Sequence, residues 1–158
     1  MSRRCCLNWA VVALGKVGPP AAKSIPRLIA LWRSRNDRKW QWYCLRGHIA
    51  GTFGSMGPKA APAVEFLVQQ IKQCPGGRPA MTYTFANIGA PAVKPLAKLL
   101  TSGDDAGARK AAADILARLG QAAAPARPSL EKAARDESDE SVRKAAAKAL
   151  KAVPDPAG

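Results

Sequence analysis

Apolar residues recur near the end of the chain with the spacing of one helical face. In Ser141–Leu150 and the residues after it, Val142, Ala146, Ala149, Leu150 and Val153 share a side. Asp139 and Glu140 precede them, the acidic residues that a helix start favours. The same text occurs earlier. Ala108–Leu116 repeats it almost residue for residue, Leu45-Arg46 with Phe53 is a degenerate copy, and Gly77-Arg78 with Phe85 is another. An arginine therefore returns as Arg46, Arg78, Arg109 and Arg143, at spacings of 32, 31 and 34 residues. Repetition at this period means stacked helical units, none of which can bury its apolar face alone.

Each unit holds two helices. The first (A) ends at a glycine turn, and the second (B) opens on Ala/Pro text and carries one anchoring leucine. The pattern predicts A helices over about Cys6–Val17, Trp40–Met56, Arg78–Ile88, Ala106–Leu119 and Glu140–Val153. B helices are predicted over about Ala22–Arg33, Pro62–Gln73, Pro91–Thr101 and Pro125–Arg135, around Leu28, Leu67, Leu96 and Leu130. Gly18, Gly57, Gly89 and Gly120 mark the turns between A and B, and Ser102–Asp105 forms a turn that caps the fourth A helix. The third unit lacks three residues between Gly89 and Val93, and Gly51-Thr52 is expected to weaken the second A helix. Runs of alternating β-branched residues are absent, so no sheet is expected and the chain reads as all-α. One domain is expected over residues 1–153, with 154–158 as a tail.

Aligned on their leucines, the B helices show which side is buried. Three positions before the anchor stand Ile25, Val64, Val93 and Arg127, and four after stand Trp32, Ile71, Leu100 and Ala134. That stripe is apolar in three units, and Arg127 breaks it in the fourth, where the helix packs less well or the arginine snorkels. The opposite side carries Pro26, Glu65, Lys94 and Pro128, then Ala30, Gln69, Lys98 and Lys132, then Arg33, Lys72, Thr101 and Arg135. Six of these twelve are cations and one is an anion, so the outward side of the B helices is expected to be basic.

The organisation resembles HEAT-like repeats, in particular the short variety of the phycobilisome-lyase-type proteins. The resemblance rests on Asp139–Leu150, on the Leu14–Gly18 turn, and on Ala61-Pro62-Ala-Val64 and Ala90-Pro91-Ala-Val93. It covers nearly the whole chain and is specific for fold, not for function. Other repeats of this period match less: the ankyrin Thr-Pro-Leu-His opening and the tetratricopeptide Trp–Leu-Gly–Tyr pattern are missing. The resemblance implies a right-handed α-solenoid of about four and a half helical hairpins. It also implies that the repeated arginine stacks units together, and that the B helices line a concave side. The pattern is entered part-way and stops half a repeat in, so the expectation includes a longer array or a remnant of one.

Charge adds to this picture. The net charge is +14, and residues 1–50 carry ten Lys/Arg against one acid, whereas residues 101–158 are nearly balanced. The four cysteines, Cys5, Cys6, Cys44 and Cys74, show no CxxC spacing, and His48 is the single histidine, which argues against a structural zinc site. Reduced thiols in a cytoplasmic protein are the simplest account, although stacked units could bring Cys44 and Cys74 together. Ser2-Arg3-Arg4 and the apolar run after it have the outline of a short signal peptide. Leu7, Val11 and Leu14 nevertheless sit where the first helix needs them. No stretch reaches the ~18 apolar residues of a membrane-spanning helix.

Two groups of residues are candidates for binding. Arg46, Arg78, Arg109 and Arg143 form either a ladder for an acidic ligand or a structural ladder, each arginine reaching backbone or an acid such as Asp105 or Asp139. The structural reading weighs more. The second group lies in an insertion. From anchor leucine to repeat arginine the distance is 18 residues here and 11, 13 and 13 later. The extra text carries Arg35, Arg38 and Lys39 beside Trp40 and Trp42, a mixture that suits phosphate neutralisation and base stacking as well as plain packing. Catalysis has little support. There is no phosphate-cradling glycine loop followed by Lys-Ser/Thr and no His-Glu pair, which excludes the di-iron hydroxylase chemistry that some HEAT-like proteins perform. No cofactor is expected.

The function that follows is a non-catalytic interaction scaffold. It would hold a protein or an acidic segment along Arg33, Lys72, Lys94, Lys98, Lys132 and Arg135. The alternative is a nucleic-acid-binding protein using that face and the Arg/Trp insertion. An auxiliary role in bilin attachment would rest on the family resemblance alone.

Overall fold

Four glycines reverse the chain. Gly18, Gly57, Gly89 and Gly120 have φ of 68, 58, 77 and 53°. At Gly18, Gly89 and Gly120 ψ lies at −136, −141 and −124°, a region that a side chain at Cβ all but closes. In the computed structural model the described residues are 3–34, 40–74 and 78–154; side chains are described there except at 3–6, 40–44 and 78–80. Nine α-helices occur among them: α1 (Arg3–Val17), α2 (Ile25–Arg33), α3 (Trp40–Met56), α4 (Val64–Gln73), α5 (Arg78–Ile88), α6 (Val93–Ser102), α7 (Ala106–Leu119), α8 (Arg127–Asp136) and α9 (Glu140–Ala152).

The odd-numbered helices are the A helices of the sequence pattern, and the even-numbered ones are the B helices. Three A helices, α3, α5 and α7, have the expected bounds, whereas α1 begins three residues earlier, at Arg3. The B helices begin two or three residues later than expected. The Ala/Pro text before them forms 3-10 segments instead, Pro19–Ser24, Gly57–Ala63, Ala90–Ala92 and Gly120–Ala126. Proline explains this. It has no N–H to give to an i−4 carbonyl, and its ring crowds the preceding turn. Pro26 and Pro128, by contrast, fall in the first turn of α2 and α8, where the N–H has no helical acceptor in any case.

The helices stack in two layers. Along one, α1 packs on α3, α3 on α5, α5 on α7 and α7 on α9; along the other, α4 packs on α6 and α6 on α8. Each B helix also packs on the A helix that follows it. The result is an all-α solenoid with one continuous apolar core. The predicted B-helix stripe lies in that core: Ile25, Leu28, Trp32, Val64, Leu67, Ile71, Val93, Leu96 and Leu100 are all buried. Arg127, in the fourth unit, snorkels. Its Nη1 donates to the Val153 carbonyl at 2.7 Å, and its Nε to Glu131 at 3.0 Å.

Polar threads cross the A layer. The Thr52 hydroxyl donates to the Val11 carbonyl of α1 (2.9 Å), and the Thr84 hydroxyl to the Ala50 carbonyl of α3 (3.1 Å). Both threonines are 3% exposed, so each bond is made away from water. α3 runs unbroken through Gly51-Thr52, where Thr52 bonds to the neighbouring helix. Gly15 makes the approach close: a Cβ there would lie 3.1 Å from the Thr52 hydroxyl. Counting back from the turn glycines, Ala13 and Val17 of α1 align with Thr52 and Met56 of α3 and with Thr84 and Ile88 of α5. Those four are buried, whereas Ala13 is exposed and Val17 is 55% exposed. Along this edge α1 thus shows solvent the residues that later A helices use for stacking.

Two kinds of substitution test this packing by urea unfolding. Thr52→Val should cost about 1 kcal/mol, the net worth of a buried hydrogen bond. Gly47 and Gly51 sit mid-helix and exposed, and no neighbouring atom lies within 4 Å of where a Cβ would stand. Gly47→Ala and Gly51→Ala should each stabilise by ~0.5–1 kcal/mol. A loss in either alanine variant would mean that the glycine serves a contact this packing lacks.

Candidate interaction surface

All twelve outward positions of the B helices are exposed. They present Arg33, Lys72, Lys94, Lys98, Lys132 and Arg135, with Glu65 as the one acid among them. Their surroundings differ along the solenoid. The Arg33 guanidinium lies 5.3 Å from the Phe66 ring centroid, so it is partly seated on an aromatic edge of the core. Arg135 pairs with Asp136 (2.8 Å), which holds the Asp136 carboxyl below its ordinary range and raises Arg135. Lys132 borders a depression of about 220 Å3 between α6 and α8, together with Asp136 and Glu137. Lys72, Lys94 and Lys98 make no ion pair among the described residues. Lys132 on α8 is likewise without an ion pair among the described residues, while α4 sets Glu65 against Lys72.

The insertion adds no geometry here. Arg35, Arg38 and Lys39 lie outside the described residues, as do the side chains of Trp40 and Trp42. Trp32, at the start of that segment, is 5% exposed, packs edge-on against Phe66 (5.5 Å, 89°) and donates its indole N–H to Gln70 at 3.0 Å. The Arg46 guanidinium lies 5.7 Å from the Trp32 ring.

The repeated arginines engage the protein itself. Arg109 Nη1 donates to the Gly103 carbonyl (2.8 Å), and its Nε and Nη2 make a two-pronged pair with Glu137, both at 2.9 Å. Arg143 Nη1 donates to the Glu137 and Ser138 carbonyls, at 2.7 and 2.9 Å. Both arginines thus clamp the carbonyl six residues back, in the loop leading into their own helix. Glu137 joins the two clamps, its carboxylate on Arg109 and its carbonyl on Arg143. Gly103 is needed for close approach, since a Cβ there would lie 2.6 Å from the Leu99 carbonyl and 3.2 Å from Arg109 Cγ. The acids expected as partners, Asp105 and Asp139, lie close enough to raise Arg109 through their charge, and their oxygens also serve as caps. Asp105 accepts from the Ala108 N–H, and Asp139 from those of Ser141 and Val142. Each is the N-cap of its own helix, where unsatisfied N–H groups are nearest. The side chain of Arg78 lies outside the described residues.

The outward side of the A helices holds a depression of about 930 Å3, bordered by Tyr83 of α5, Lys110, Asp114 and Arg118 of α7, and Lys148 and Lys151 of α9. On the B side a smaller hollow lies beside Lys132. His48 is exposed near Gly47, Gly51 and Ser55 of α3, with Lys16 and no acid around it. Cys74 is a free, half-buried thiol, and no described cluster of three or more His, Cys, Asp or Glu could hold a metal ion. No described helix is long and apolar enough to cross a membrane. Sequence reasoning missed Glu137 and Tyr83. The first stands six residues before Arg143, as Gly103 does before Arg109, and that offset was the available signal.

Arg109→Ala should lower stability by about 1–3 kcal/mol, because it strands a carboxylate and a carbonyl at the edge of the core. Hydrogen bonding from Arg109 holds the Glu137 carboxyl below its ordinary range. A depressed folded-state pKa contributes stability that is present above the unfolded value of ~4.3 and is lost as pH falls through the folded one. Thermal stability should therefore decline below about pH 4.3, and Glu137→Gln should flatten that decline. An unchanged acid limb in Glu137→Gln would remove Glu137 from the linkage.

The comparisons with known proteins add the family. A family model described as HEAT repeats matches residues 64–151, more than half of the chain. No curated protein matches the sequence. With the stacked hairpins and the repeated arginine already in view, this chain belongs to the HEAT-repeat family.

Proposed function

We propose that the protein is a non-catalytic, cytoplasmic scaffold that holds a protein partner, through an acidic segment, along the outward face of its B helices. HEAT repeats generally serve as interaction scaffolds. The observation that carries the finer reading is the excess of six cations over one anion across twelve exposed positions, with Lys72, Lys94 and Lys98 left unpaired among the described residues. Arg33, Lys132 and Arg135 extend the surface towards its ends, and Arg35, Arg38, Lys39, Trp40 and Trp42 would extend it at the insertion. Arg46, Arg78, Arg109 and Arg143 are assigned to holding units together, on the strength of the clamps at Arg109 and Arg143. One domain over residues 1–153 carries this surface.

A protein partner is preferred to nucleic acid because the described B face offers no open aromatic platform. Its nearest ring, Phe66, is buried, with Trp32 at its edge and Arg33 over it. Among the described residues the exposed aromatics, Trp9 and Tyr83, belong to A helices.

Titration with oligo(dT) over a salt series separates the two partners. A scaffold should show shallow attraction that salt erases, with no change in tryptophan fluorescence. A single-strand binder would lose affinity linearly in log salt, at about 0.7 per phosphate, and Trp40→Ala or Trp42→Ala would cost about 1–3 kcal/mol. Sub-micromolar, tryptophan-dependent binding at physiological salt would overturn the scaffold reading. Affinity capture from the native host should give partners that survive nuclease and are lost with Lys94→Glu plus Lys98→Glu.

A further inference from the structure

The depression on the A side has a chemistry of its own. Its rim carries four cations, Lys110, Arg118, Lys148 and Lys151, against one acid, Asp114. Lys110, Asp114 and Arg118 follow one another at intervals of four along α7, a line about 12 Å long at 1.5 Å per residue. Lys148 and Lys151 face them from α9. Lys110, Lys148 and Lys151 are exposed and lie beyond ion-pairing distance of any described carboxylate, whereas the neighbouring Lys144 is held by Glu140 at 2.7 Å. The floor is small and largely apolar, with Gly107, Ala111, Ala117 and Ala152. One end is closed by Tyr83, with the Arg118 guanidinium 4.4 Å from its ring centroid.

We propose that this depression is a second docking site, on the face opposite the B helices, for an acidic polypeptide segment that carries an apolar residue between its carboxylates. Charge complementarity selects the carboxylates, since the three free lysines gain partners without breaking any ion pair. The small floor selects the apolar residue, because glycine and alanine let another chain approach the helices closely. A polynucleotide suits the site less well. The exposed ring of Tyr83 is already covered by Arg118, so a base could stack there only by displacing a cation. Asp114, in the middle of the α7 line, would also repel a continuous row of phosphates. The site does not depend on the B-face reading, and either can fail without the other.

The test is an amide-shift titration of nitrogen-15-labelled protein with a peptide of repeating Glu-Leu-Glu-Ala units at physiological ionic strength. Saturating shifts are expected at the A-side residues of α7 and α9. Lys148→Glu plus Lys151→Glu should weaken the affinity read there about tenfold, as lost attraction and new repulsion add. Lys94→Glu plus Lys98→Glu makes the same change in net charge on the other face and should alter that affinity less than about twofold, because screening cuts off within ~8 Å. Absence of A-side shifts, or equal losses in the two variants, would overturn the proposal. So would oligo(dT) reproducing the same shifts at the same concentration. Missing shifts on α4 and α6 would count against the B-face scaffold and leave this site standing.

Discussion

A helical hairpin of about thirty residues has too little interior to cover its own apolar faces, and that shortage organises the molecule. Each A helix must find cover on the next A helix, and each B helix on the A helix that follows it. The chain can obey only if it reverses at a fixed place in every unit, which the glycines at 18, 57, 89 and 120 accomplish with backbone angles that other residues resist. The core that results is one-dimensional. Its strength at any point is set by the nearest contacts, so a local defect is not averaged over the whole protein.

Hydrophobic contact alone would let neighbouring helices slide, since the buried faces of α7 and α9 are largely alanine. Directional bonds fix the register at the two ends by different means. Near the N-terminal end, buried threonine hydroxyls reach carbonyls of the preceding A helix at Val11 and Ala50. Near the C-terminal end, Glu137 ties Arg109 to the loop that precedes α9, and Arg143 takes that loop's carbonyls. A hydroxyl suits a closely packed junction that excludes water. A guanidinium suits a junction at the rim, where its own charge stays partly hydrated and five donors can satisfy several carbonyls.

The sequence carries the architecture because repetition shows the same physical demand several times. Leu28, Leu67, Leu96 and Leu130 set the phase of every B helix, and from that phase the twelve exposed positions follow. Where one residue can serve two demands, the text is ambiguous. Asp105 and Asp139 could cap a helix or meet an arginine, and they do both: their oxygens take helix N–H groups while their charge raises Arg109. The Ala/Pro text could open a helix or form a 3-10 turn, and the prolines decide for the turn. The A-side depression was not legible at all. It depends on Ala111 and Ala152, 41 residues apart in successive units, being small where Tyr83 and the lysines around them are long.

The two faces use positive charge differently. On the B side, cations at equivalent positions of successive helices form an extended surface, neutralised at Arg135 by Asp136. Such a surface recognises length and sign more than shape. On the A side, a few cations border a pit with a small floor and an aromatic end, which restricts how a ligand can lie. Neither arrangement costs the fold much, because every one of these lysines stands outside the core. The solenoid therefore keeps its stability in the apolar stripes and the arginine clamps, and the lysines of both faces stand outside them.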